Sequence, residues 1–391
     1  MIYKHHIFGY DNRISILLSG NAETGKVLPE NPEFLTRQLI TYIGNKRSLL
    51  GFIGEAVKRV QNRLRCPKLD MFDVFSGSGI VARYFKRFSR LLIANDLESY
   101  SALINECYLS NRSEINFDDL RRFYAEITGH ANQGLRKGLI SELYAPENDA
   151  CIKPHERVFY TSRNAMYIDT VRQAIEAVPQ KYQKYFLAPL LSESSVHANT
   201  SGVFKGFYKN RETGIGQFGG TSQDALSRIA GDIKLPFPVF SNFDCETIIC
   251  NGDSNRVILE VPEVDIAYLD PPYNQHPYGS NYFMLNLILN YRYPQNPSRV
   301  SGIPENWNRS SYNRQGRALE SLTALVENIK AKYVIVSFNS EGFISCGQMK
   351  NMLQKIGKLE IMETQYNAFR ASRNLGKRGK HVKEYLYLLE R

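Results

Sequence analysis

No stretch of this 391-residue chain approaches the roughly 18 consecutive apolar residues of a membrane-spanning helix. Its opening residues carry Lys4, His5 and His6 where a secretory leader would carry an apolar run, so a cytoplasmic protein is expected. Cysteine is sparse and scattered: Cys66, Cys107, Cys151, Cys245, Cys250 and Cys346 show no zinc-knuckle or thioredoxin spacing, which argues against a disulfide framework and for free, mostly buried thiols. His5 and His6 adjoin, but nothing nearby completes a coordination shell, and no metal is assigned. Acid is also in deficit, with 39 Asp and Glu against 49 Lys and Arg; the net +10 suits a polyanionic partner. What remains is ordinary: 43% hydrophobic and 23% charged residues exclude a wholly disordered, collagen-like or coiled-coil chain, and the length allows one or two domains.

The apolar pattern divides the chain. Residues 1–35 show no sustained period and read as a weakly organised lead-in. From Ser48 to Arg65, Leu49, Ile53, Val57, Val60 and Leu64 recur at helical steps, predicting an amphipathic helix stopped by Cys66-Pro67. Leu69–Phe75 reads as a buried strand, Ile80–Phe88 as a helix, and Leu91–Ala94 as a second strand closing on Asn95-Asp96. From residue 112 to 242 come charged, Tyr-rich helical segments with no alternating strands and a Gly-rich piece from Ser201 to Gly220, the expected signature of a mainly helical insert. Strand signals return at Thr247–Cys250, Val264–Leu269, Lys332–Phe338, Lys358–Tyr366 and Glu384–Leu389, the last two as a closing hairpin. The expected fold is α/β: a Rossmann-like, mostly parallel sheet with a C-terminal antiparallel hairpin, built from residues 36–111 and 243–391 around the insert.

Two motifs carry chemistry. In Asp73-Val74-Phe75-Ser76-Gly77-Ser78-Gly79, glycines just past a strand let the backbone turn sharply and approach a ligand closely. Asp96 falls 19 residues after Gly77, where an acid can accept hydrogen bonds from ribose hydroxyls. These features alone also admit a nicotinamide dehydrogenase, or a turn that merely packs helix on strand. The second motif, Asp270-Pro271-Pro272-Tyr273, ends an apolar strand. The amino group of a base is a poor nucleophile because its lone pair is delocalised into the ring, and hydrogen-bond acceptors draw it toward tetrahedral geometry. Asp270 can take one amino hydrogen and the Pro271 carbonyl the other, Pro271 and Pro272 fix the backbone, and Tyr273 offers a ring for an extruded base to stack on. If the first and fourth strands adjoin, both motifs share one crevice.

Taken in order, these motifs resemble the bacterial adenine-specific DNA methyltransferases of the Dam-like, alpha-grouped family. Tyr42, Gly44, Asn45 and Lys46 resemble the first cofactor motif, and Phe75, Ser76, Gly77 and Gly79, after Asp73, the methionine-side glycine loop. Asp96 matches the ribose acid, Asp253 with Ser254 the acid beside the cofactor's adenine ring, and Asp270 to Tyr273 the catalytic tetrapeptide. The resemblance implies S-adenosylmethionine as cofactor, with Asp270 at the junction of cofactor and base. It also implies methylation of the exocyclic amine of adenine in a specific double-stranded DNA sequence, with the insert at 112–242 as target-recognition domain. A restriction-modification role is the corresponding expectation, with a cognate endonuclease that forms no stable complex and the enzyme itself a monomer or weak dimer. Cytosine's amino group or RNA is the alternative acceptor on the same fold.

DNA contacts are expected from Lys205, Lys209 and Arg211 in the insert, from His276, Tyr278 and Asn281 after the tetrapeptide, and from Arg370 and Arg373 in a basic stretch free of acid. The loop from Arg299 to Arg317, with Trp307, the sole tryptophan, is a further candidate for the DNA path or a plain solvated loop.

Overall fold

The computed structural model describes residues 29–220, 223–367 and 381–391. Seven strands, β1 (Leu69–Asp73), β2 (Ser89–Asp96), β3 (Glu246–Asn251), β4 (Val264–Leu269), β5 (Ala331–Asn339), β6 (Lys358–Asn367) and β7 (His381–Glu390), form one sheet in the order β3-β2-β1-β4-β5-β7-β6. The pairings from β3 through β5 are parallel, while β7 runs antiparallel to both β5 and β6. The anticipated strands are all present and β4 has the anticipated bounds. β1 stops at Asp73, two residues short of the expected end, because the chain is already turning toward Gly77 and Gly79, both at positive φ.

The strands read as apolar runs because both faces of the sheet are covered. Alternate residues enter opposite layers: Met71, Ile266, Tyr268 and Leu388 join one core, and Phe72, Ala267, Leu269 and Leu389 the other. The helix Leu50–Leu64 brings Ile53, Val57 and Val60 to the first core, joined there by Ile104 of the helix Ser99–Tyr108. The helix Ser254–Glu260 with Val257 and Ile258, and the helix Gln315–Asn328 with Leu322 and Leu325, cover the second. The first helix ends where Arg65 adopts a left-handed conformation, its N–H bonded to the Gln61 carbonyl, just before Pro67.

Between the helix Ser99–Tyr108 and β3 lie the longer helices Phe117–Gln133, Ser162–Glu176 and Gln180–Val196. Their buried residues Leu120, Ile168, Phe186 and Leu190 belong to the same core as the sheet face, so the inserted helices extend that layer. Arg172 donates to the carbonyls of Ile288 and Leu289, both at 3.0 Å, tying the insert to the end of the helix Phe283–Asn290 that follows the Asp270–Tyr273 turn. Of the lead-in, residues 29–35 are better ordered than their composition suggests. Phe34 and Leu35 are buried, the Phe34 carbonyl accepts from Arg83, and Glu30 accepts from Ser241 at 2.7 Å. Two apolar side chains on a single turn suffice for burial but are too few to register as a period. Among the described residues, no helix is long and apolar enough to cross a membrane.

Candidate active site

Strands β1 and β4 are neighbours at the centre of the sheet, with β2 flanking one and β5 the other. Their C-terminal ends therefore open at the point where the strand order reverses, the usual place for a crevice in such sheets. One cleft there is lined by Tyr42, Gly44, Asn45, Lys46, Asp73, Phe75, Ser76, Gly77, Asp96, Asp253, Ser254, Asp270 and Pro272. Gly79, Pro271 and Tyr273 fall outside the lining. Gly79, at φ 72°, acts by packing: a Cβ there would come 2.7 Å from Asn105 Oδ1, so only glycine lets the helix Ile80–Phe85 start this close to its neighbour. Gly77, at φ 51°, meets the ring of Tyr42, 2.8 Å from where a Cβ would lie.

The loops are fastened to one another through Asp96, which accepts from the Gly77 amide at 2.8 Å and from the Glu98 amide at 2.8 Å. Asp253 caps its helix, accepting from Asn255 N at 3.0 Å, while still facing the cleft. Asp73 differs from both. It is 1% exposed, and its carboxylate has only the backbone amides of Phe75 and Ala82 against it, with no ion pair among the described residues. Burial, and then the nearby Asp270 and Asp96, outweigh those amides and push its carboxyl well above the usual range. A buried acid without a counter-cation, facing a cleft, is chemically suited to a cationic ligand.

Asp270 continues directly from β4. Its Oδ1 lies 3.2 Å from Lys46 Nζ, and Lys46, itself 3% exposed, lies 2.8 Å from Glu384 on β7. Burial, with the like charge of Glu384 and against the opposing charge of Lys46, pushes Asp270 up to about 7. Burial works against the charge of Lys46, but Asp270 and Glu384 prevail and hold the ammonium well above its usual range. If Asp270 must be ionised to accept a hydrogen bond, kcat/KM of the free enzyme will fall about tenfold per pH unit below about pH 7. A rate profile flat down to about pH 5 would show that its ionisation is not required.

Tyr273 is half-buried, its ring set edge-on to Phe338 at 5.9 Å and 71°. Tyr278 and Asn281, expected to face DNA, sit elsewhere. Tyr278 stacks on Tyr42 at 4.9 Å and donates to the Ile43 carbonyl at 3.1 Å, making it part of the cleft wall; Asn281 is 3% exposed beneath the insert, with its carbonyl accepting from Phe204 N at 2.7 Å. His276 is exposed, and Lys205 is close enough to add to burial in lowering its pKa. Lys205, Lys209 and Arg211 are exposed on a loop pinned by Phe204, bonded to Asn281, and by Ser301 Oγ, which donates to the Lys205 carbonyl at 2.6 Å. Arg370 and Arg373 lie outside the described residues.

Sequence reading missed part of the lining. Asn308, Ser310 and Asn313 come from the segment read as a DNA-path candidate, which folds over the cleft: Asn308 donates to the Leu97 carbonyl at 3.1 Å and Asn313 to the Asn274 carbonyl at 2.8 Å. Glu98 lines it as well, held by Asn286 at 2.7 Å and pushed up to about 7 by burial and Asp96. Only an abundance of Asn and Ser marks that segment in the sequence. Glu384 did leave a signal, as the one charge in the inward-facing row Val382, Glu384, Leu386, Leu388 of β7.

Comparison with known proteins agrees with this geometry. The chain is 29% identical over 361 residues to the type II methyltransferase M.NlaIII of Neisseria lactamica, covering 90% of this chain and 99% of that one. It is 29% identical over 361 residues to the type II methyltransferase M.CviAII of Paramecium bursaria Chlorella virus 1, at 90% and 98% coverage. Against the type II methyltransferase M.FokI of Planomicrobium okeanokoites it is 25% identical over 357 residues, matching 52% of that longer protein. A family model matches residues 42–352, from Tyr42 of the cleft past the Asp270–Tyr273 turn, and the chain belongs to the D12 class of N6 adenine-specific DNA methyltransferases.

Proposed function

We propose that this enzyme uses S-adenosylmethionine to methylate the exocyclic nitrogen of an adenine extruded from a specific double-stranded DNA sequence, as the modification enzyme of a restriction-modification system. The observation that carries the cofactor assignment is the buried Asp73 carboxyl, without a counter-cation among the described residues, in the same cleft as Asp270. A zwitterionic sulfonium ligand fits that donor set: Asp73 answers a positive charge, Asp96 a pair of ribose hydroxyls, and Asp253 with Ser254 the edge of a base. When bound, the cofactor supplies an electrophilic methyl group. Asp270 and the Pro271 carbonyl accept the two amino hydrogens of the target adenine and draw its nitrogen lone pair out of conjugation. Tyr273, braced by Phe338, stacks on the extruded ring. Positioning and preorganised charge then provide most of the acceleration.

The helical segment 112–242 serves as target-recognition domain in this reading, with Lys205, Lys209 and Arg211 at the rim of the cleft and His276 beside them for phosphate and base-edge contacts. Arg370 and Arg373 belong to the same proposed surface. The restriction-modification role is supported by the relatives' names, among them the modification methylase StsI of Streptococcus sanguinis. We take the enzyme to act in the cytoplasm as a monomer or weak dimer, with a cognate endonuclease that forms no stable complex with it. The D12 match sets aside both the dehydrogenase and the cytosine-amino alternatives.

Incubation with unmethylated plasmid DNA and isotopically labelled S-adenosylmethionine, followed by digestion to nucleosides and mass spectrometry, is the direct test. Label on N6-methyladenine is expected. Label on no nucleoside, with the cofactor bound, would overturn the proposed reaction.

A further inference from the structure

One buried carboxylate has no role in the reaction as drawn above. Glu384 of β7 is 0% exposed; its Oε1 accepts from Lys46 Nζ at 2.8 Å and from Ser337 Oγ of β5 at 2.6 Å, while its Oε2 has no partner. Burying an ion pair is often no more stabilising than filling the same space with apolar atoms, and an orphaned oxygen makes the balance worse. Leucine at this point of the inward row would satisfy packing alone, so the acid calls for another reason.

Lys46 supplies it. The ammonium makes its short hydrogen bond to Glu384, at 2.8 Å, and holds the buried Asp270 Oδ1 more loosely, at 3.2 Å. The same ammonium lies 5.7 Å from the centre of the Tyr273 ring. One cation thus serves two acids unequally, and the acid held more loosely is the one at the end of β4.

We propose that Glu384 is a positioning residue: by anchoring the Lys46 ammonium on the β7 side, it keeps the ammonium's hold on Asp270 long and weak, so that the carboxylate can take the target amine while the positive charge stays near enough to favour its ionised form. Without that anchor, a buried ammonium already at 3.2 Å tightens on Asp270 into a short charge-assisted hydrogen bond. That bond occupies a lone pair the adenine amino group needs. The idea rests on Asp270 being the amine acceptor, as proposed above.

Glu384→Gln keeps the volume and removes the charge. Its kcat is expected to fall about 10- to 100-fold, with cofactor affinity changed less than about threefold, below the size of a single lost hydrogen bond. The acid limb of its pH profile is expected to move to lower pH. The groups facing Asp270 are Lys46, Glu384, Asp73, Tyr268 and Tyr278; loss of one like charge and closer approach of Lys46 both favour ionisation, and a protein merely loosened would show no such displacement. Glu384→Asp should recover part of the rate.

Lys46→Met and the double variant complete the cycle. If Glu384 acts through Lys46, Glu384→Gln adds no further loss in the Lys46→Met background. Losses that simply multiply, or a Glu384→Gln enzyme with wild-type kcat and pH profile, would overturn the proposal. Should Glu384→Gln fold poorly, Ser337→Ala weakens the same anchor from β5, and a smaller rate loss with a profile displaced in the same direction is expected; an unchanged profile there overturns it too. Every variant is compared with a wild-type enzyme that labels adenine, so failure of the wild type counts against the proposed function and not against Glu384.

Discussion

Asp270→Ala will lower kcat by about a thousandfold or more, the scale of losing a preorganised electrostatic contact made to the reacting group, while cofactor affinity stays within about tenfold. In the proposed reaction the carboxylate accepts from the nitrogen whose lone pair must be freed, and among the described residues no other acid side chain extends from the end of β4. The same substitution should raise thermal stability. Burial pushes Asp270 up to about 7 in the folded protein from an ordinary 3.8, so between those values the folded state binds more protons than the unfolded one. Its contribution to stability therefore falls as pH rises through that window, and at about pH 8 the wild type bears the whole penalty of a buried carboxylate. Lys46 still has Glu384 when Asp270 is gone. Melting curves at about pH 5 and about pH 8 should show the variant ahead at the higher pH and the gap narrowing at the lower. A variant no more stable than wild type at the higher pH would mean that Asp270 is not strained. Undiminished turnover would remove it from the mechanism.

Asp73→Ala should weaken S-adenosylmethionine binding by roughly ten- to a hundredfold, equivalent to about 1.5–3 kcal/mol for a hydrogen bond to a charged group. Burial, and then Asp270 and Asp96, hold the Asp73 carboxyl well above the usual range, and a cation brought against it favours ionisation. Cofactor binding should then release a proton. Calorimetry in buffers of different ionisation enthalpy detects that release directly, and Asp73→Ala should abolish it while Asp270→Ala should not. Equal binding heats in every buffer, or an Asp73→Ala protein that binds as tightly as wild type, would sink the assignment of Asp73 to the cofactor's positive charge.

Part of the site was legible because local chemistry dictates it. Prolines at 271 and 272 stop β4 and present Asp270, and glycines at 77 and 79 supply the positive φ that the turn after β1 demands. Other positions were misread because composition does not say which way a side chain faces. The aromatic and amide run after Tyr273 suits a DNA-facing surface as well as it suits a cleft wall, and Tyr278 took the second role by stacking on Tyr42. The Asn-rich segment near Asn308 carries no period at all, and it is located by tertiary contacts, the bonds of Asn308 to Leu97 and Glu98, that of Asn313 to Asn274 and the burial of Tyr312.

The sequence by itself determined the strands, their turns and the reactive tetrapeptide, since hydrophobic runs, glycine and proline act within a few residues of themselves. Tertiary structure decided which charges meet. Lys46 and Glu384 are 338 positions apart, and Asp73, Asp96 and Asp270 end three different strands that become neighbours only in the order β2-β1-β4. Burial and Coulomb interaction depend on distance in space, so the loosely held Asp270, the buried Asp73 without a counter-cation and the shared ammonium exist only once the sheet has formed.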